Sequence, residues 1–225
     1  FLGVVVKHPR DDPRVVALAE GLARSGMVVM IPWSETQLQQ RIILDDIEDL
    51  VWAFKYLSGL DLVDPDRVGM GGICTGASMA IVAAQDERIR DDVRFVNSFA
   101  GYYDAIDFTK AIATRSKFYG DYVVPWETDG LTYRLFRNHL LEGVSDPDQR
   151  LLLHRHFVGQ EELTKTEVDS LSMDGQAVYK LLQGVPYEQV DDLMARLSPQ
   201  TIQFLRQISP STNIKNLKAR VLIMH

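Results

Sequence analysis

Gly71-Gly72-Ile73-Cys74-Thr75-Gly76-Ala77-Ser78 is the stretch on which the fold turns. It carries Gly-x-Cys-x-Gly at Gly72, Cys74 and Gly76. Arg67 to Met70, just ahead, reads as a short strand. Cys74 to Gln85 is small and apolar, as a buried helix requires. Strand, sharp turn and helix form the context of a nucleophile elbow, here with cysteine in place of the usual serine. The spacing has a steric reason: side chains at the two glycine positions of so tight a turn would collide with the neighbouring strand and helix. The central residue is held strained, with its sulfur above the sheet. The helix N-terminus turns N–H groups and a positive dipole toward that sulfur, which favours thiolate. The N–H of Thr75 then becomes a donor for an oxyanion. The competing reading of Cys74 is a buried structural cysteine. The strand before it and the small-residue helix after it favour the turn. Ser78, one helical turn beyond and without flanking glycines, reads as packing.

Outward from this motif the chain alternates strands and helices. Phe1 to Val6 is a continuous apolar run, Met27 to Ile31 a second one closed by Pro32, and Val93 to Phe99 a further strand. Apolar residues recur at helical spacing over Val15–Arg24 and Ile43–Leu57. The alternation predicts an α/β fold, a mostly parallel doubly wound sheet with sites at the carboxyl ends of its strands. From Ala105 to Leu217 no strand of this kind appears. Helices are expected at Leu131–Leu141, Asp146–Phe157, Thr164–Leu182, Tyr187–Leu197 and Pro199–Ile208. Thr164-Lys165-Thr166-Glu167 and Ser198-Pro199-Gln200-Thr201 look like helix starts. The sheet resumes at Arg220–His225. So long an insertion is no connecting loop; a helical cap over an active site is expected. Both ends of the chain read as strands under way, so a longer parent protein is expected.

The 225 residues suit one generous domain, or a core with an insertion. Such a chain buries roughly 70% of its unfolded surface and needs no disulfide or metal staple. With 24 Lys+Arg against 31 Asp+Glu, a net charge of −7, general nucleic-acid binding is disfavoured. No apolar stretch approaches the roughly 18–20 residues of a membrane span. The single cysteine excludes a disulfide framework and a multi-cysteine zinc site, and agrees with a cytoplasmic setting. No Gly-rich phosphate loop is present, and nothing dictates a cofactor.

Val63-Asp64-Pro65-Asp66-Arg67-Val68-Gly69 followed by Gly72-Ile73-Cys74-Thr75-Gly76 resembles the α/β-hydrolase fold, most closely its dienelactone hydrolase-like branch. The resemblance covers residues 1–104 and 214–225. It makes 105–213 a cap between the sixth and seventh strands, with Arg220–His225 as the seventh. It puts a second oxyanion donor after the first visible strand, where His8-Pro9 stands. Pro9 has no N–H, so Arg10 is the candidate donor, and His8 reads as ordering the loop. It also implies an acid after the seventh strand and a histidine later still. The sequence stops at His225, so both are expected beyond it. Asp104 is an alternative acid, although a loop or helix-cap carboxylate is the favoured reading. Trp33, Tyr102 and Tyr103 are pocket candidates. Phe118, Tyr119, Tyr122, Trp126, Tyr133 and Phe136 suit an acyl pocket and a subdomain core equally. None of the five histidines occupies the family's catalytic place. His154 and His156, two apart, diverge on a helix, so no metal site is expected.

The resemblance implies hydrolysis of an ester, lactone or thioester through an acyl-enzyme on Cys74. The partner is a small-molecule acyl substrate, and a homo-oligomer is left open. The alternatives are an acyltransferase of the polyhydroxyalkanoate-synthase type, which resembles the same turn and large cap, or a catalytically incomplete fragment or binding scaffold.

Overall fold

The structure, a computed structural model, describes residues 11–120 and 122–224. Phe1–Val6, His8, Arg10 and His225 lie outside the described residues. Helix α1 spans Pro13–Arg24. Proline suits the first helical position because its N–H would be orphaned there, and the Asp12 carboxylate accepts from the Arg14 N–H. The short α2 (Glu35–Leu38) precedes α3 (Asp45–Ser58), which buries Leu50, Val51 and Phe54. Among the described residues Met27–Ile31 forms no strand. A strand exists through its ladder to a neighbour, and no described residue supplies one. Met27 and Val28 are exposed, while Ile31 packs against Val15.

Strand β1 is Met70–Ile73, later than expected, because Pro65–Arg67 forms a 3₁₀ turn capped by Asp64. It runs directly through Cys74 into α4 (Thr75–Ala83). Strand β2 is Phe95–Phe99. Among the described residues these strands and the last one, β5 (Arg220–Met224), form a parallel sheet in the order β1-β2-β5. Ile73 lies opposite Phe99, and Phe99 opposite Met224. Helix α4 packs on β1 and β2, and α3 packs on α4. The protein is therefore α/β with a parallel sheet.

The chain divides into two compact units, residues 1–104 with 207–225, and residues 105–206. The expected insertion end at 213 lies inside the first unit. There the 3₁₀ segment Pro210–Asn216 packs on α4, and the Gln85 side-chain amide donates to the Pro210 carbonyl. The second unit begins with α5 (Ala105–Thr114) and then contains a hairpin that the helical reading missed, β3 (Ser116–Tyr119) and β4 (Tyr122–Pro125). Tyr119 pairs with Tyr122 across a two-residue link opened by Gly120 at φ +61. Gly-Asp is a hairpin signal of the sequence.

Helices α6 (Gly130–Glu142) and α7 (Pro147–Phe157) follow. The expected helix Thr164–Leu182 is two helices, α8 (Lys165–Asp169) and α9 (Met173–Gln183). Ser172 starts a new helix by accepting from the Gly175 N–H, an alternative that serine offers its own backbone. Thr164 and Glu167 form the expected reciprocal cap of α8. Helices α10 (Tyr187–Met194) and α11 (Pro199–Gln207) complete the set, and β5 is Arg220–Met224. Leu140, Leu153, Val178, Leu181 and Val190 form the buried centre of the second unit.

Candidate functional site

The Cys74 N–H donates to the Phe99 carbonyl at 2.8 Å, carrying the β1–β2 ladder one residue past the strand. The backbone then turns at φ 56, ψ −132, a region that side chains rarely adopt. Helix α4 begins at the next residue, with Cys74 in the cap position and no side-chain cap bond. Cys74 as a residue is half-buried. Gly72 is obligatory by contact: a Cβ there would stand 2.3 Å from the Gly76 carbonyl oxygen. Gly72 and Gly76 meet backbone to backbone, which is what lets strand and helix join at so sharp an angle. Thr75 is 5% exposed, and its Oγ1 is buried with no hydrogen-bond partner among the described residues.

The next strand ends in a similar way. Ala100 lies at φ 52, and its N–H donates to the Met224 carbonyl at 2.8 Å. Gly101 presses against α4, where a Cβ would stand 2.9 Å from that of Ala77. Fully buried Ser78 donates its hydroxyl to the Tyr102 carbonyl at 2.7 Å. Ser78 thus clamps the post-β2 loop to the helix. Tyr102 is half-buried, and its hydroxyl donates to the Ile208 carbonyl at 3.3 Å. Burial pushes its phenol well above the usual tyrosine range, and negative charge at Cys74 pushes the same way.

The other candidates of this unit divide. Tyr103 is exposed, and its carbonyl accepts from the Ser211 N–H. The Asp104 carboxylate accepts from the Ser211 hydroxyl at 2.6 Å, which ties the loop to the 3₁₀ segment. Trp33 is 47% exposed. Beside it, Ser34 and Thr36 donate to Asp46, a carboxylate only 1% exposed that also accepts from the Ile43 N–H. This cluster ties the loop ahead of α2 to the start of α3. Neither this cluster nor the Ser78–Tyr102 clamp has a local signature in the sequence.

Every described histidine lies in the second unit. His139 stacks on Phe204, His156 donates through Nδ1 to the Glu161 carbonyl, and His154 is exposed. Among the described residues no three His, Cys, Asp or Glu side chains gather as metal ligands. Of the aromatics in this unit, Phe136 is in the core, Tyr133 donates to the Leu182 carbonyl, and Phe118 packs on Tyr187. Tyr119 and Tyr122 are exposed.

No family model matches the chain, and no solved structure matches it. Over 38 residues it is 47% identical to an acyltransferase of Aspergillus calidoustus, drtE; the match covers 17% of this chain and 12% of that protein. No helix among the described residues is long and apolar enough to cross a membrane.

Proposed function

We propose that Cys74 is the nucleophile of an acyl-transfer enzyme of the α/β-hydrolase type, close to the dienelactone hydrolase-like branch, working through a covalent thioester. The observation that carries this reading is the backbone of Cys74. A non-glycine residue is held at φ 56 between a strand and a helix, where a Cβ on Gly72 would collide with the Gly76 backbone. Such strain persists where the surrounding structure over-determines it, and it concentrates at reactive sites.

In the proposed reaction the Cys74 thiolate adds to the carbonyl carbon of an ester, lactone or thioester. The C=O π pair moves to oxygen, where the Thr75 N–H at the start of α4 receives the negative charge. Arg10 is proposed as a further donor. Collapse expels the alkoxide or thiolate leaving group, which takes up a proton, and the acyl group remains on sulfur. Water then releases a free acid in the hydrolase reading. An alcohol or thiol acceptor instead yields a new ester or thioester, and the similarity to an acyltransferase supports this second reading.

Mass spectrometry of the protein mixed with p-nitrophenyl butyrate tests the proposal. One butyryl group is expected on Cys74, absent in Cys74→Ala. Acylation elsewhere, with full p-nitrophenol release by Cys74→Ala, refutes it. Adding a primary alcohol separates the readings: butyrate alone marks a hydrolase, and a butyrate ester marks an acyltransferase.

A further inference from the structure

Thr75 has a second polar group besides its N–H. Its side chain is 5% exposed, and Oγ1 is buried without a partner among the described residues. A buried hydroxyl left unpaired loses its hydrogen bonds to water and gains nothing, so such groups call for an explanation. The usual internal acceptor for a helical threonine is a carbonyl one turn back. Thr75 has none, because it is the first residue of α4 and one turn back lie Gly71 and Gly72 of β1. Covalent geometry narrows where this hydroxyl acts. In either gauche rotamer, the two that helical threonine favours, Oγ1 lies about 3 Å from its own amide nitrogen. Hydroxyl and N–H therefore lie close enough together at the start of α4 to reach one acceptor atom.

We propose that Thr75 is a catalytic residue that donates two hydrogen bonds, one from its N–H and one from its hydroxyl, to the oxyanion formed when Cys74 attacks a carbonyl. This rests on the reading of Cys74 as an acyl-transfer nucleophile. The hydroxyl has no partner among the described residues and finds its acceptor as the carbonyl oxygen gains charge, so its bond favours the transition state over the ground state.

An alkyl trifluoromethyl ketone tests the idea on the full chain. The Cys74 thiolate, its proton given to solvent, forms one C–S bond to the ketone carbon. The C–O π pair becomes an alkoxide in the place of the oxyanion. Thr75→Val keeps the shape and removes the donor; it is expected to weaken ketone binding about tenfold or more. Thr75→Ser is expected to restore it. Iodoacetamide, whose reaction forms no oxyanion, is expected to alkylate Cys74 at the same rate in all three proteins. The melting temperature of Thr75→Val is not expected to fall, since no folded-state hydrogen bond is lost. Wild-type affinity in Thr75→Val, or a loss that Thr75→Ser does not repair, overturns the proposal whatever the melting temperature. Wild-type protein that is alkylated at Cys74 yet ignores the ketone refutes the reading of Cys74 itself, a different failure.

Discussion

Helix α4 and the helices α6 to α9 start in opposite ways. Helices α6, α7, α8 and α9 each open on a side chain that accepts from the first turn: Asp129, Asp146, Thr164 and Ser172. These caps satisfy orphaned N–H groups locally. Helix α4 has no side-chain cap, and its cap position holds Cys74 in a strained backbone. It is buried almost all round and made of small residues, so sheet contact holds it in place. Helices α3 and α10 also start without a side-chain cap; what sets α4 apart is the positive φ of its cap residue, Cys74, and its near-complete burial, so its stability has to come from packing.

The contrast is open to attack by substitution, beginning where the effect is largest. Gly72→Ala drives a Cβ into the Gly76 backbone. It is expected to cost more than about 3 kcal/mol in urea unfolding, or to prevent folding. Retention of wild-type stability would mean that the turn is not sterically determined. In the second unit Leu153→Ala, at a fully buried position, is expected to cost about 2–5 kcal/mol. Asp146→Ala, which removes the α7 cap, is expected to cost about 1 kcal/mol. Cys74→Gly has the opposite sign: relief of the strained φ is expected to leave stability unchanged or raise it by up to about 1 kcal/mol, while butyryl labelling disappears. A large loss there would assign Cys74 to packing.

Acid is expected to blur the contrast, because both units hold carboxylates with depressed pKa values. The Arg88 guanidinium lowers that of Asp86, and the Thr132 hydroxyl lowers that of Asp129. A depressed folded-state value gives stability that is present above the unfolded carboxylate pKa of about 4 and lost as pH falls below it. Urea midpoints are expected to be flat from neutral pH to about pH 5 and to fall toward pH 3.

The site was legible where chemistry depends on adjacent residues. Gly-x-Cys-x-Gly specifies its turn because Gly72 is excluded from carrying a Cβ by the backbone of Gly76, four residues on. The capping box at Thr164–Glu167 was legible for the same reason. Met27–Ile31 has no ladder among the described residues, and an apolar run by itself does not reveal whether a ladder partner exists. The break between α8 and α9 escaped because Ser172 competes with a helical pattern that continues across it. Ser78 read correctly as packing, but its bond to Tyr102, 24 residues on, left no trace in the pattern.

From the sequence alone came a parallel α/β unit, a long mostly helical insertion and one cysteine at a strand-to-helix turn, all consequences of short-range sterics and periodicity. Tertiary structure alone decided that Ala100 ends its strand as Cys74 ends its own, and that Ser78 and Gly101 press the following loop onto α4. It also decided that the Thr75 hydroxyl is buried without a partner among the described residues. Burial and hydrogen-bond satisfaction depend on which distant segments arrive, and no local pattern records that.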